Sequence, residues 1–244
     1  MRELAGAVAF LTRLPVPGVY SQVPLWRLTA WFPAAGLLVG ALAGLGYWLA
    51  GWLGLPAVVA VWGAILIEML VTGGLHPDGL ADTADGMGGA TPQRRLEIMK
   101  DPRLGSYGGI ALFLTLAGRG VALGAMSPVQ VLSALTVAHA AARWAPVWAL
   151  ARYPYARPGG GTGAGFVGTG WRQILIAAVT ALATGWLLLG WRGLVAAALS
   201  ALVAMAAAAW VARRLGGITG DVCGAVTEIS LLTALLVLAA KWPW

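Results

Sequence analysis

Long apolar runs separated by short polar stretches dominate the chain. A helix needs about 17–25 mostly apolar residues to cross a bilayer. Seven runs meet that length, and they predict transmembrane spans at about 31–50, 56–75, 108–126, 131–150, 173–192, 194–211 and 225–241. The pattern therefore predicts an all-α polytopic membrane protein, built as a single integral membrane domain over residues 1–244.

The N-terminal stretch has a different pattern. In residues 1–14, Leu4, Val8 and Leu11 share one helical face, and Arg2 and Arg13 flank it. This pattern is typical of a helix lying in the membrane interface. We expect residues 1–30 to form an interfacial segment rather than a span or a cleavable signal peptide, since Arg13 interrupts the apolar stretch.

Composition agrees with a membrane protein. Hydrophobic residues make up 59% of the chain, charged residues only 10%, and the mean hydropathy is +0.80, whereas a soluble domain has about 25% charged residues. The net charge of +7 comes without a dense basic run, so the bilayer is the expected partner and nucleic acid is not. The single cysteine, Cys223, excludes an intrachain disulfide and any multi-cysteine metal site.

The basic residues predict the orientation. Seven spans place the loops 76–107, 151–172 and 212–224 on one side with the N-terminus. Twelve of the sixteen Lys and Arg residues lie there: Arg2, Arg13, Arg27, Arg94, Arg95, Lys100, Arg103, Arg152, Arg157, Arg172, Arg213 and Arg214. Because cytoplasmic loops carry an excess of Lys and Arg, we expect these loops to face the cytoplasm from the inner (plasma) membrane. Every candidate chemical motif lies on this side.

The acidic residues are concentrated in one place. Only nine carboxylates occur, and five fall within twenty-four residues: Asp78, Asp82, Asp85, Glu97 and Asp101. On a helix the first three would lie at about 0°, 40° and −20° around the axis. Such a face repels itself unless a cation neutralises it, and oxygen ligands favour Mg²⁺, or Mn²⁺, over zinc. The alternative is a polar loop with an aspartate as helix cap, but a cap needs one aspartate rather than three.

A second segment, Glu97–Gly109, combines acids, bases and glycines. Asp101 is close enough in sequence to fold back onto the aspartate face, and Lys100 and Arg103 are candidates to bind phosphate oxygens. Gly105 and Gly108 lie where the chain re-enters the membrane, so amides near that helix start could bind an anion. The alternative for the basic residues is an ordinary cytoplasmic loop.

A third segment repeats this chemistry. Gly217 and Gly220 surround Asp221 at a membrane boundary on the same predicted side. Asp221 is therefore a candidate to complete a metal site with Asp78, Asp82 and Asp85. Cys223 is interpreted as a small packing residue.

Several isolated polar residues have two interpretations. Arg143 lies within the fourth span, where a charge costs about 2.5–3.5 kcal/mol and needs a partner. It is either a substrate-binding residue or the partner of Glu68 in a structural ion pair. Arg157 leads into the glycine-rich loop 158–165, which is either a clamp for a phosphorylated substrate or a linker. His76 has a functional and a structural interpretation. It could be a metal ligand, a proton shuttle or a hydrogen-bond donor to the substrate, or a structural histidine at the membrane interface.

Four of these segments together resemble one family. Phe10–Pro17, Thr72–Gly86, Glu97–Gly109 and Gly216–Ala225 are similar, in order and spacing, to segments of cobalamin synthases, the adenosylcobinamide-GDP ribazoletransferases. The resemblance covers essentially the whole chain. The aspartate motif is the most specific part, while the spans match only in hydrophobicity.

The resemblance implies a Mg²⁺-dependent inner-membrane transferase. A ribose hydroxyl of α-ribazole, or of its 5′-phosphate, would attack the cobinamide-linked phosphorus of adenosylcobinamide-GDP and release GMP. Side-chain chemistry predicts the roles. Metal binding is assigned to Asp78, Asp82, Asp85 and Asp221, and Asp82, between Asp78 and Asp85, also has a catalytic role through the metal. Asp101 or Asp221, with His76 as the runner-up, would accept the hydroxyl proton, and substrate binding is assigned to Lys100, Arg103, Arg143, Arg157, Gly105, Gly108, Gly217 and Gly220. A homo-oligomer is compatible with the sequence.

Two other classes remain open from the residues alone. CDP-alcohol phosphotransferases also place aspartates on membrane helices, but here Asp82 directly follows Ala81 where their pattern has Arg. A cation or corrinoid transporter would place its acids near the bilayer midplane, whereas these acids cluster at one rim.

Overall fold

A computed structural model describes residues 1–16, 23–157 and 160–241. Residues 17–22 of the predicted interfacial segment, which include Pro17 of the opening motif, and Pro158 and Gly159 of the glycine-rich loop lie outside the described residues. Within the described ranges the ordered elements are helices, apart from one isolated bridge between Tyr155 and Ile218. The expectation of an all-α fold is confirmed.

Twelve α-helices and two short 3₁₀ turns are described. The α-helices are α1 (Arg2–Leu11), α2 (Leu25–Leu28), α3 (Phe32–Trp52), α4 (Ala57–Thr72), α5 (Leu75–Gly86), α6 (Pro92–Ile98), α7 (Ser106–Gly124), α8 (Pro128–Ala142), α9 (Trp144–Arg152), α10 (Trp171–Leu189), α11 (Trp191–Leu215) and α12 (Gly220–Ala239). The 3₁₀ turns are Thr29–Trp31 and Thr162–Phe166.

Several helices are long and apolar enough to cross a membrane. Five described segments pass by length and composition, and a sixth is added if α4 and α5 count together as one broken span. The chain is therefore a multi-pass membrane protein. The number seven stays a prediction, because α4 and α8 have only 16 and 15 residues. Within the range of the predicted fourth span, α8 and α9 meet at Arg143.

The break between α4 and α5 turns the chain out of the span direction. Gly73 and Gly74 both adopt left-handed backbone angles, with φ of 68° and 73°. Glycine adopts this conformation without the steric cost that a Cβ brings. The two helices therefore meet at 90°, and α5, which carries the aspartates, lies across the end of the bundle rather than along it.

The packing of α3 against α8 in the bundle core depends on small residues. Gly36, Gly40 and Gly44 form one stripe on α3, and a Cβ at Gly44 would lie 2.8 Å from the Cα of Leu132 on α8. Cβ atoms at Gly36 and Gly40 would collide with the carbonyl oxygens of α8. Close backbone approach through small residues is a common packing mode in membranes, and here it joins α3 to α8.

A buried charge cluster joins four helices. Arg119 of α7 is fully buried; it forms an ion pair with Glu68 of α4 and, at 3.1 Å, another with Glu228 of α12. His139 of α8 places Nε2 3.5 Å from the Glu68 carboxylate. Arg143 donates to His139 Nδ1 at 2.7 Å. Of the two interpretations of Arg143, the ion pair with Glu68 is therefore wrong in its partner, because Arg119 takes that place. A charge cannot stay unpaired in an apolar core, so the cluster constrains these helices together.

The three polar loops lie at one end of the bundle. Arg95 of α6 donates to the carbonyl of Arg214, at the end of α11, at 2.9 Å. The amide of Ala156 donates to the carbonyl of Ile218 at 2.8 Å. These contacts link the loops before α7, after α9 and before α12, as a shared face requires.

We expect accessibility to differ between the two ends. In a Cys223→Ala background, Gln93→Cys on α6 should be shielded from an impermeant thiol reagent in intact cells. Val129→Cys, at an exposed position (65%) at the opposite end, should react. Opening the cells should make Gln93→Cys reactive as well. Labelling of Gln93→Cys in intact cells would contradict a cytoplasmic face for the polar loops.

We also expect the charge cluster to dominate stability. Arg119→Met leaves two buried carboxylates without their ion-pair partner, and breaking a buried pair in this way costs about 3–5 kcal/mol. The thermal midpoint in detergent, followed by tryptophan fluorescence, should fall markedly. Arg103→Met is the control, because the Arg103 side chain is 87% exposed. Adding Glu68→Gln and Glu228→Gln to Arg119→Met should restore part of the loss, and equal midpoints for wild type and Arg119→Met would refute the argument.

Candidate active site

The site forms where α5 and α12 touch through their backbones. A Cβ at Gly79 of α5 would lie 2.7 Å from the carbonyl oxygen of Asp221. A Cβ at Gly224 of α12 would lie 3.0 Å from the carbonyl oxygen of His76. A side chain at either position would force the helices apart. The two glycines thus bring Asp221, distant in sequence, beside the aspartates of α5.

Asp82 lies among the carboxylates that this approach brings together. Burial and the nearby charges of Asp78 and Asp221 raise the pKa of Asp82 to about 6, although Arg157 opposes the shift. Within the described chain, no residue donates a hydrogen bond to Asp82 or to the exposed Asp78. These two carboxylates are therefore available to a cation, a proton or a substrate.

Asp85 is already engaged. Its carboxylate accepts hydrogen bonds from the amides of Gly105 and Gly108, both at 2.8 Å. The start of α7 does bind an anion, as the helix-terminus argument predicts, but that anion is Asp85. The assignments of Gly105 and Gly108 to substrate and of Asp85 to a metal stay predictions, and this geometry does not favour them.

Asp101 is also engaged, with its neighbour Arg103. The Arg103 guanidinium donates to both carboxylate oxygens, at 2.9 and 2.6 Å. These hydrogen bonds lower the pKa of Asp101 to about 2. A carboxylate with so low a pKa is a weak proton acceptor, so Asp101 is a poor general base in this arrangement.

Asp221 is balanced by Arg157. The guanidinium lies 2.5 Å from the Asp221 carboxylate, and the hydroxyl of Thr219 donates to the same oxygen at 3.2 Å. Arg157 also contacts the carbonyl of Met99 at 3.4 Å. Arg157, which was predicted to bind substrate, therefore lies beside the cluster of aspartates, and Asp221 compensates part of its charge.

A polar groove and an apolar cavity meet at this site. The polar groove, about 970 Å³, contains cations and acids: Arg13, Asp78, Asp82, Lys100, Asp101 and Arg103. The apolar cavity, about 150 Å³, is lined mainly by aromatic, aliphatic and glycine residues, with His76, Asp78 and Asp221 among its polar ones. Asp78 lines both spaces, so a group bound in one would lie beside a group bound in the other.

Two predicted site residues, Arg143 and Gly217, fall elsewhere. Arg143 is 1% exposed and lines neither space; its hydrogen bonds to His139 make it part of the buried cluster. Gly217 approaches the carbonyl of Pro154, and its φ is 159°. Gly220, in contrast, lines the apolar cavity at the start of α12.

Comparison with known proteins identifies the family. The sequence model of the cobalamin-5-phosphate synthase family matches residues 3–239 of the chain. The chain belongs to the cobalamin-5-phosphate synthase family. It is 37% identical to the adenosylcobinamide-GDP ribazoletransferase of Chlorobaculum tepidum (98% of this chain, 95% of the relative) and 40% identical to that of Ralstonia pickettii (96% and 93%). The enzyme of that name from Brevibacillus brevis is 36% identical over 99% of both chains. No solved structure matches the chain.

This cobalamin-5-phosphate synthase family member has site residues that sequence reasoning missed. Arg13 lines the polar groove, although its sequence position suggested only an orientation signal. Phe10, Phe32 and Phe166 come together at the apolar cavity, with ring centroids 4.7–6.0 Å apart. The only available signal was the opening segment of the family resemblance, which contains Phe10 and Arg13.

The donor set suits a magnesium ion. Among the described residues, no three His, Cys, Asp or Glu side chains converge as a complete metal site. Mg²⁺, however, is usually held by one or two carboxylates together with substrate phosphates and water. Asp78 and Asp82 have unpaired carboxylates and lie beside Asp221, so the oxygen donors present fit such an ion when a phosphate substrate completes its coordination.

We expect Asp82→Asn to stabilise the protein without metal. The folded state holds the Asp82 proton up to about pH 6, while an unfolded aspartate loses it near pH 3.9. Stability is therefore lost as pH rises through this window, and the loss is complete above it. The thermal midpoint of Asp82→Asn in EDTA should exceed that of wild type at pH 7.5, and the two should converge at pH 4. Glu97→Gln, in an exposed ion pair, is the control, and a lower midpoint for Asp82→Asn at pH 7.5 would contradict charge repulsion at the site.

Proposed function

We propose that this enzyme transfers the cobinamide phosphate of adenosylcobinamide-GDP to α-ribazole, or to α-ribazole 5′-phosphate, and releases GMP. Membership of the family and the names of its relatives support this activity. The single structural observation that carries it is the meeting of two spaces at Asp78. A transferase must hold a donor and an acceptor side by side, and the polar groove and the apolar cavity provide two such places.

The polar groove suits the donor. Its cations, Arg13, Lys100 and Arg103, can bind the diphosphate oxygens of adenosylcobinamide-GDP. Arg103 holds Asp101 in this structure, so the diphosphate would compete with Asp101 for its guanidinium. The groove is also open and large, as the corrinoid part of the donor requires.

The reaction is a displacement at phosphorus. The ribose hydroxyl oxygen forms a bond to the cobinamide-linked phosphorus, and the bond from that phosphorus to the GMP oxygen breaks with its electron pair. The hydroxyl proton must pass to a base. Asp82 is best suited, because its pKa of about 6 lies near physiological pH and no donor among the described residues occupies it. His76 is buried and its pKa is lowered by that burial, which makes it the weaker acceptor.

We propose Mg²⁺, with Mn²⁺ as the alternative, as the cofactor. Asp78 and Asp221 flank Asp82 and would hold the ion together with phosphate oxygens. Such an ion neutralises the charge that develops on the transferred and leaving phosphates. Arg157 would keep Asp221 in place from the other side, as its 2.5 Å ion pair indicates.

The proposed location is the inner membrane, with the site facing the cytoplasm. The polar loops meet at one end of the bundle and carry most of the basic residues. Basic loops favour the cytoplasmic side. The lipid bilayer is then the constant partner, and the soluble substrates reach the site from the cytoplasm.

The two other classes are not favoured. The family match and the names of the relatives point to neither a CDP-alcohol phosphotransferase nor a transporter. The acids also lie on α5, which crosses the end of the bundle, rather than at its middle. Substrate flux through proteoliposomes without chemistry would favour the transporter.

We expect purified protein to release GMP only when both substrates and Mg²⁺ are present. Asp82→Asn should lower kcat about 10²–10⁴-fold, the usual contribution of a general base, and added Mg²⁺ should not restore it. Asp78→Asn should instead raise the Mg²⁺ concentration required, and excess Mg²⁺ should recover part of the activity. Glu97→Gln on the neighbouring helix α6 is the carboxylate control and should turn over normally. Near-normal turnover of Asp82→Asn would refute its role, and GMP release without α-ribazole would refute the transfer reaction.

A further inference from the structure

We infer that the apolar cavity is the subsite for the aromatic base of the riboside acceptor, which is held with its sugar toward Asp78 and Asp221. This inference rests on the proposed function and deepens it, because it assigns one substrate to one space. α-Ribazole is the riboside of a dimethylated benzimidazole, a flat and largely apolar base. The walls, the depth and the opening of the apolar cavity each favour this base as the occupant.

The walls of the cavity are suited to an aromatic ring. Phe10 and Phe166 meet edge to face, with centroids 4.7 Å apart, and Phe32 lies 5.8 Å from Phe166. Phe32 and Phe166 are each only 3% exposed. Aromatic groups pack in offset or edge-to-face arrangements at these separations. A flat base can therefore extend the cluster that the three phenylalanines have begun.

The depth of the cavity suits a two-ring base. One face of α12 lines it with residues at helical spacing: Gly220, Cys223, Gly224 and Thr227. From Asp221 to Thr227 the helix rises about 9 Å. An apolar cavity of about 150 Å³ in another protein binds benzene, so a space of this volume takes the dimethylated ring of the base, while the imidazole ring that carries the sugar lies toward the opening. A base can enter while its sugar stays outside.

The opening places the sugar at the acids. Asp78 is exposed and Asp221 is partly exposed, whereas Thr227 is buried deeper along α12. The Thr227 hydroxyl donates to the carbonyl of Cys223 at 2.8 Å, so it is already engaged within the helix. A riboside with its base inside would present its hydroxyl groups at the junction with the polar groove.

The other parts of the substrates fit the cavity poorly. The corrin ring is far larger than a space of about 150 Å³. Guanine carries donors and acceptors along its edges, and the part of the cavity that phenylalanine, leucine and glycine line would leave most of them without partners. The neutral, methylated base is the group whose polarity and size agree with the walls.

Narrowing the cavity tests the assignment. Leu150 of α9 lines the space and is partly buried, so Leu150→Trp should fill it. We expect the KM for α-ribazole to rise about tenfold or more, the scale on which apolar pockets respond to lost space. The KM for adenosylcobinamide-GDP should not change. A riboside of unmethylated benzimidazole should be affected less than α-ribazole. The matched control is Leu114→Trp on the outer surface of α7, where the side chain is 61% exposed, and it should leave both KM values unchanged.

Direct binding separates this inference from the proposed function. Calorimetric titration of α-ribazole into the purified protein in detergent, without nucleotide, should show weaker binding for Leu150→Trp and unchanged binding for Leu114→Trp. If Leu150→Trp fails to fold, Phe166→Leu takes its place and should also weaken binding. An unchanged affinity in a folded variant, or an effect on adenosylcobinamide-GDP alone, would overturn the assignment. Binding of α-ribazole in the cavity without any GMP release would instead count against the proposed function.

Discussion

The pairing of Arg119 with Glu68 and Glu228 is the interaction on which the arrangement of this protein depends. A charge in the apolar core is tolerated only beside an opposite charge. The three residues come from α4, α7 and α12, so these helices cannot shift independently. Glu68 lies one turn before the glycines at which α4 gives way to α5. The cluster thus joins α4, α7 and α12 close to the point where the chain turns from α4 into α5.

This placement explains why the close contact of α5 and α12 can be maintained. Gly79 and Gly224 allow the two backbones to touch, and the charge cluster fixes α12 relative to α4, which precedes α5. The aspartates on the two helices repel one another, and this repulsion adds to the effect of burial in raising the pKa of Asp82. Contacts made elsewhere hold the acids together against that repulsion. A site of this kind is ready to bind a cation because its own charges are not balanced.

The acids of the site differ in their surroundings more than in their chemistry. Asp85 accepts two amides of α7, and Asp101 is held by Arg103. Asp82, only one turn from Asp85, has no protein donor among the described residues. Two aspartates that look equivalent in the sequence therefore play different parts, one in joining α5 to α7 and one facing the open groove.

The sequence by itself determined the membrane class, the approximate ranges of the apolar helices and the polar segments that come together at the candidate site. These features depend on hydrophobicity along the chain and on local spacing, so they can be read without knowing distant contacts. It also indicated the family, through motifs such as Thr72–Gly86.

Only the tertiary structure decided which residues meet. The partner of Glu68 is Arg119 rather than Arg143, and the anion at the start of α7 is Asp85. The cavity between Phe10, Phe32 and Phe166 likewise joins positions from three distant parts of the chain. Ion pairs and cavities depend on how helices separated by many residues approach each other, and hydrophobic periodicity is nearly the same for every such arrangement. The physical choice among them is made by close packing at glycines and by the cost of an unpaired charge, which act only once the helices are assembled.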